Sequence, residues 1–366
     1  MKKENLLVTG LGQCGCTLAD ALRRKNSRYT PLYINSSLGD IKDLDFAKLD
    51  TNVFIFSGVD GAGRDRSKAK QFIAGERIRL ASILKNYSQF KNMLIFTSLS
   101  GGTGSGTLID FIKIVKQVNP RMIINLVAVL PSLNENKKEW HNTMECLQEL
   151  EEVSSFINDI KFINNNKGNS YEEINEKAAT DIDLSYGMIS HSSIGSIDED
   201  NLTNVITCPG YGVILRIDPT YINIEEAIEK AVENSVFEIP ENLTCVYGAV
   251  NVSKQYNIDV VRKVLDVKET LYVAYGNKNI LTLGGCDFPS EAIDEIESNL
   301  QEKLIRNDEE ARKSFKFKSK YENEEILVDS AMNTKKVTKT KRVKEIYLDD
   351  DDIDKLFEMD NLDFDE

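Results

Sequence analysis

One stretch limits what this chain can fold into more than any other: Met93 to Ile112, MLIFTSLSGGTGSGTLIDFI. The apolar run Met93 to Phe96 has the length of a buried strand, and Leu108, Ile109, Phe111, Ile112 and Val115 return at helical spacing. Between them, after Ser98-Leu99-Ser100, stand Gly101, Gly102, Thr103, Gly104, Ser105 and Gly106. In a strand, glycine turn and helix, backbone N–H groups and the positive end of the helix face outward with few side-chain atoms in the way. The natural occupant is a phosphate chain. No Lys follows the last glycine, so the turn is not a P-loop, and phosphate charge must be met by N–H dipoles, metal and other loops.

The same grammar recurs upstream. Asn5 to Thr9 reads as a strand, followed by Gly10-Leu-Gly12-Gln13-Cys14-Gly15 and a helix through Leu18, Ala21 and Leu22. Alone this is a GxGxxG dinucleotide fingerprint, but the second strand, Pro31 to Asn35, ends in Asn-Ser-Ser, without the acid that would hold a ribose hydroxyl of NAD. A third strand, Asn52 to Phe56, runs into Gly61-Ala62-Gly63-Arg64-Asp65-Arg66, and a helix through Ile73, Ile78, Leu80, Ile83 and Leu84 leads back to the opening stretch. The alternation predicts an α/β fold, a parallel sheet wrapped by helices, with its loops gathered at the strands' carboxyl ends.

The segment Ser100 to Gly106 closely resembles the signature of the tubulin and FtsZ superfamily of GTP-dependent filament proteins. That resemblance implies a tubulin/FtsZ-like two-domain fold: a GTP-binding domain over 1–169, a central helix over 170–190 and a smaller mixed α/β activation-type domain over 191–289. A C-terminal helix over 290–320 and a basic linker and acidic tail over 321–366 would follow. It also assigns roles. Gly12, Gln13 and Cys14 would lie under the phosphates, as would Gly101, Gly102, Thr103, Gly104, Ser105 and Gly106. Gly61, Ala62 and Gly63 would close over the γ-phosphate, with Arg64 or Arg66 adding charge. Glu135, after the strand Met122 to Leu130, would meet the ribose. Asn165, closing the strand Ile160 to Ile163, would meet the purine. Asp181 would read guanine, since a carboxylate accepts two hydrogen bonds at once from N1–H and N2–H₂, which adenine does not offer.

In that superfamily the next subunit supplies the water-orienting acids. Asp198 matches the first of them, Ser196 stands on the usual Asn, and Asn201 falls on the second acid. An amide cannot act as a base, so Asp200 or Glu199 would share the part with Asp198. Plain alternatives stay open on the sequence: a solvated helix face for Asp181, a first-turn acid for Glu135, a charged helix start for residues 198–200.

Charge separates body from tail. The net −14 includes −9 in residues 349–366, leaving −5 elsewhere, so direct nucleic-acid binding by the body is not expected. Lys335 to Lys344 is basic, and Ile353, Leu356, Phe357, Leu362 and Phe364 sit among the tail's acids, either a docking peptide for a basic partner or a solubilising tail. No run of about 18 apolar residues exists and the amino terminus lacks the form of a signal peptide, so a cytoplasmic protein is expected. The cysteines at 14, 16, 146, 208, 245 and 286 form no CxxC pair and read as reduced thiols; with only His141 and His191 besides, no metal site made of protein ligands is expected.

The expectation is a GTPase using GTP and Mg²⁺ that stacks head to tail. Within the superfamily the long charged C-terminal helix resembles the TubZ branch, which segregates plasmid or phage DNA through an adaptor protein bound to a DNA centromere. A division-type FtsZ, a nucleotide-dependent scaffold with little hydrolysis and a Rossmann oxidoreductase are the competing readings.

Overall fold

The computed structural model describes residues 2–192 and 195–312; the linker and tail expected at 321–366, the end of the preceding helix and residues 193–194 lie outside the described residues. In chain order the elements are β1 (Leu6–Leu11), α1 (Gly12–Lys25), β2 (Thr30–Asn35), β3 (Val53–Ile55), α2 (Arg66–Gly75), α3 (Arg77–Lys85), β4 (Asn92–Ser98) and α4 (Thr103–Val118). Next come β5 (Ile123–Leu130), α5 (Lys137–Leu150), β6 (Asp159–Asn164), α6 (Tyr171–Ser185), β7 (Ser190–Ser192), β8 (Gly195–Ile197) and α7 (Glu199–Ile206). The rest are β9 (Gly210–Arg216), α8 (Ile224–Glu233), β10 (Thr244–Val252), α9 (Ile258–Val264), β11 (Asp266–Tyr275), β12 (Ile280–Cys286) and α10 (Ser290–Arg312).

Ten strands form one sheet in the order β11-β10-β12-β9-β6-β5-β4-β1-β2-β3. From β3 to β6 every pairing is parallel, and the strand order reverses between β1 and β4, the place where open α/β sheets collect ligands. The second half joins through a narrow seam, where β6 pairs β9 only at Asp159 with Gly210 and Ile160 with Tyr211. Beyond it β9–β12 and β12–β10 are antiparallel and β10–β11 is parallel.

The two faces follow from the period-two alternation of strand side chains. Leu7, Leu11, Met93 and Ile95 point into a core shared with Ile73 of α2, Leu80 of α3, Leu108 of α4 and Trp140 of α5. Leu6, Val8, Leu94 and Phe96 point the other way, onto Leu18 of α1, Ile174 of α6 and Leu202 of α7. Each fully buried Leu or Phe contributes about 1.5–3 kcal/mol, so a one-residue slip of a central strand would forfeit several such terms.

Two local expectations change. The helix read through Ile73 to Leu84 is two helices broken at Gly75-Glu76, and Ile78 is 89% exposed, because the turn at the break rotates the second helix out of the first one's periodicity. The acid loop after the central helix is a β7–β8 hairpin followed at once by α7.

Candidate nucleotide site

Most of the helices begin on their own cap. Asp65, Asn136, Ser170, Asp198, Asn223 and Asn257 each accept from the first N–H groups of α2, α5, α6, α7, α8 and α9. The helices α1, α3 and α4 do not: Leu11, Glu76 and Gly102 give no side-chain cap and no acid stands in the first turn. The start of α3 follows directly on α2, away from the glycine loops, whereas α1 and α4 both start at them. Their orphan N–H groups and positive dipole ends converge on one cavity of ≈ 260 Å³. Gly12 makes the convergence possible: its φ of +69° is in the left-handed region, and a Cβ there would come 2.7 Å from the Gly104 nitrogen. A polyanion satisfies both helix starts at once.

Gly12, Gln13, Cys14, Gly61, Ala62, Gly63, Gly101, Gly102, Thr103 and Gly104 all line this cavity. So do Asn35, Ser36, Asp40 and Arg64. Ser36 Oγ meets Thr103 Oγ1 at 2.6 Å, and Asn35 donates to Asp40 Oδ2 at 3.0 Å. Ser105 and Gly106 belong to the helix instead and line neither this cavity nor its neighbour. The Ser105 hydroxyl donates back to the Gly101 carbonyl, and the Gly106 N–H donates to the Gly102 carbonyl. Gly106 is needed for packing, since a Cβ there would stand 2.7 Å from the Arg66 carbonyl oxygen and from Ala69 Cβ of α2.

The arginines separate. Arg64 stays at the cavity and pairs with Glu139 at 2.8 Å. Arg66 is buried and turned to α5, binding Glu145 at 2.9 Å and Glu149 at 2.6 Å. The loops are tied together by a residue the sequence did not single out: Asn142 of α5 donates to the carbonyls of Ser100 at 2.9 Å, Arg64 at 3.1 Å and Gly101 at 3.4 Å.

A second cavity, ≈ 500 Å³, adjoins the first through Gln13, Cys14 and Ser98. Glu135 and Asn165 line it as expected, joined by Thr17, Arg24, Tyr171, Glu172, Asn175 and Glu176. Burial pushes the Glu135 carboxyl above its ordinary range. Burial, with Glu135 near by, pushes the Cys14 thiol up to about 12, which keeps it a neutral contact. Asp181 lines neither cavity. It lies ten residues beyond Tyr171, about 15 Å down α6. There it is buried, 3.2 Å from Arg216 Nε, its carboxyl raised to about 6 by burial against the opposing pull of Arg216. The first turn of α6 lines the second cavity, with Tyr171 54% exposed and Asn175 one turn on. The Tyr-x-x-x-Asn spacing at the start of a capped helix was the available signal.

The acid turn is elsewhere. Asp198 caps α7, accepting from the Asn201 N–H at 2.7 Å while Asn201 Oδ1 accepts from the Asp198 N–H at 3.2 Å. Glu199 lies 3.8 Å from Lys2, and Asp183 at the end of α6 lies 2.5 Å from Lys3. Lys2 and Lys3 precede β1, whereas the glycine loop follows it, so the acids and the phosphate cavity sit at opposite ends of a six-residue strand about 20 Å long.

Residues 5–170 match the family model "Tubulin/FtsZ family, GTPase domain". The chain is similar to the tubulin-like protein TubZ of Clostridium botulinum C phage, 25% identical over 316 residues, covering 85% of this chain and 87% of that one. Its fold resembles that of Clostridium botulinum phage c-st TubZ solved as a C-terminal tail truncated protein, with a TM-score of 0.76 and 24% identity over 83% of this chain and 99% of that one. It also resembles a GTPγS-form protofilament of Bacillus thuringiensis serovar israelensis TubZ, with a TM-score of 0.72 and 17% identity over 84% of this chain and 93% of that one.

Proposed function

We propose a function for this chain, a TubZ-like member of the tubulin/FtsZ family: it hydrolyses GTP in sites completed between copies stacked head to tail. One observation carries the reading. The phosphate cavity and the acids at Asp198, Glu199 and Asp200 lie at opposite ends of β1, so neither end is a whole active site, and stacking one copy's acid end on the next copy's cavity makes one. A chain of similar fold, 17% identical, is solved as a GTPγS-form protofilament, which fits stacking of copies.

The triphosphate would rest on the N–H groups of α1 and α4, with Gly61 to Gly63 above it. The base would enter the second cavity, where Tyr171 offers a ring face and Asn165 and Asn175 offer amides. An amide donates to guanine O6 or accepts from N1–H and N2–H₂. Glu135 suits a ribose hydroxyl. Mg²⁺ would be held mainly by phosphate oxygens, with Asp40 as the carboxylate lining the phosphate cavity. When bound, Mg²⁺ supplies charge neutralisation at those oxygens. The chain's own contribution is positional: N–H dipoles hold the phosphates and a neighbour's carboxylate orients water in line.

The filament would move plasmid or phage DNA by gripping, through the C-terminal region, an adaptor protein on a DNA centromere. Among the described residues no helix is long and apolar enough to cross a membrane. A second reading, a scaffold with little turnover, is favoured by the reciprocal capping of Asp198 and Asn201, which commits the first acid to its own helix. Light scattering beside phosphate release, with GTP and with a slowly hydrolysed analogue, tests both. Asp198→Ala and Asp200→Ala, singly and together, should assemble yet release phosphate far more slowly. Parent-like turnover in the double variant, or a parent that stays monomeric with saturating GTP and magnesium, would refute the proposal.

A further inference from the structure

Where α10 leaves the sheet, two hollows share one wall, Phe288, whose side chain is 50% exposed. On one side of it is an apolar cavity of ≈ 510 Å³, walled by Met144 and Leu147 of α5, Ile160 and Phe162 of β6, Pro209, and Ile293 of α10. On the other is a hollow of ≈ 320 Å³ that carries Glu238, Glu241, Asp287, Glu291 and Glu295. The first turns of α10 divide the two. Glu291 and Glu295 are one turn apart on the acid side, while Ile293, about 200° round the helix from each, meets the apolar side.

Among the described residues no Lys or Arg lines either hollow. Glu238 has partners beyond it, Lys167 Nζ at 3.1 Å and the Asn164 amide. The other four carboxylates make no ion pair among the described residues, and a hydrogen bond to Glu241, with its charge, raises the Glu291 carboxyl above the ordinary range. Acids crowded in this way repel nucleic acid and anionic lipid and favour cations. The neighbouring cavity, by its size and lining, takes large apolar groups. Pro209, Pro240 and Pro289 stiffen the rim, so docking there costs little loop freedom.

We propose that this face docks a basic amphipathic helix of another protein. Its Leu or Phe side chains enter the apolar cavity beside Phe288, and its Lys or Arg side chains meet Glu241, Asp287, Glu291 and Glu295. A helix presents both chemistries side by side, since residues three and four apart share a face and the polar positions flank it. The contact is separate from GTP binding: none of these residues lines the nucleotide cavities.

The test uses the purified full-length chain and a fluorescein-labelled peptide of Leu and Lys, about 18 residues long, with Leu at i, i+3, i+4 and i+7, read by fluorescence anisotropy. The expected result is saturable binding that weakens as salt rises, and none by the same peptide with Glu in place of Lys. Glu241→Lys with Glu291→Lys should weaken binding at least tenfold, and so should Phe288→Ala; all three side chains are exposed, so the variants keep their fold. A parent that binds neither peptide overturns the proposal. So does equal binding by the charge-reversed variant, which would put the peptide on another acid surface such as residues 349–366. Displacement of the peptide when the parent assembles with GTPγS would give this face to a second copy and overturn it too.

Discussion

Asn142→Ala isolates what holds the glycine loops in place. The side chain is buried, and its two N–H groups serve three carbonyls on two loops. Alanine strands the Ser100 carbonyl in a buried setting at a cost of about 1–3 kcal/mol, and weakens the more accessible Arg64 carbonyl by about 0.5–1.5 kcal/mol. The sum is about 1.5–4.5 kcal/mol. If the whole chain bears that cost, Tm falls by roughly 3–18 °C, at about 2–4 °C per kcal/mol. If the loops alone loosen, the binding-competent arrangement becomes rarer and GTP affinity drops by roughly 10- to 2,000-fold. Titration of a fluorescent GTP analogue, read beside thermal unfolding with and without nucleotide, separates the two. A variant with parent-like affinity and parent-like Tm would refute the claim that Asn142 staples the site.

Other substitutions probe neighbouring claims. Asp181→Asn should bind GTP like the parent, while Asn175→Ala should weaken binding at least tenfold in the same titration; the reverse order would restore Asp181 to the base. The Asp181 carboxyl is raised to about 6 in the fold, so the folded state holds that proton more tightly than the unfolded one. Its contribution, about 3 kcal/mol, is present below about pH 4 and lost as pH rises through 6, and Asp181→Asn should flatten that part of the stability–pH curve in denaturant titrations. Lys161→Met leaves Asp159 buried without its cation and should cost about 3–5 kcal/mol at neutral pH, and less as pH falls, because burial already raises that carboxyl; a loss independent of pH would count against it. Gly106→Ala should lower the unfolding free energy measured by denaturant titration by about 1–3 kcal/mol through overpacking against α2, with no direct loss of a nucleotide contact.

The sequence by itself determined the phosphate end. Strand, glycine turn and helix are local, and a turn of Gly101, Gly102, Thr103 and Gly104 opens the same N–H groups whatever packs behind it. Repeating that grammar along the chain also fixed the parallel sheet, because parallel neighbours require crossovers of this length. Only the tertiary structure decided which side chains the cavity recruits. Asn142 reaches the loops from α5, and Tyr171 rather than Asp181 faces the second cavity because Ser170 fixes where α6 begins, and each residue of a helix turns the next by about 100°. The placing of Asp198 to Asp200 was likewise beyond local reading. Which end of the molecule they occupy depends on α6 running back along the sheet to the start of β1, and a strand's direction is set by its pairing partners, not by its own residues.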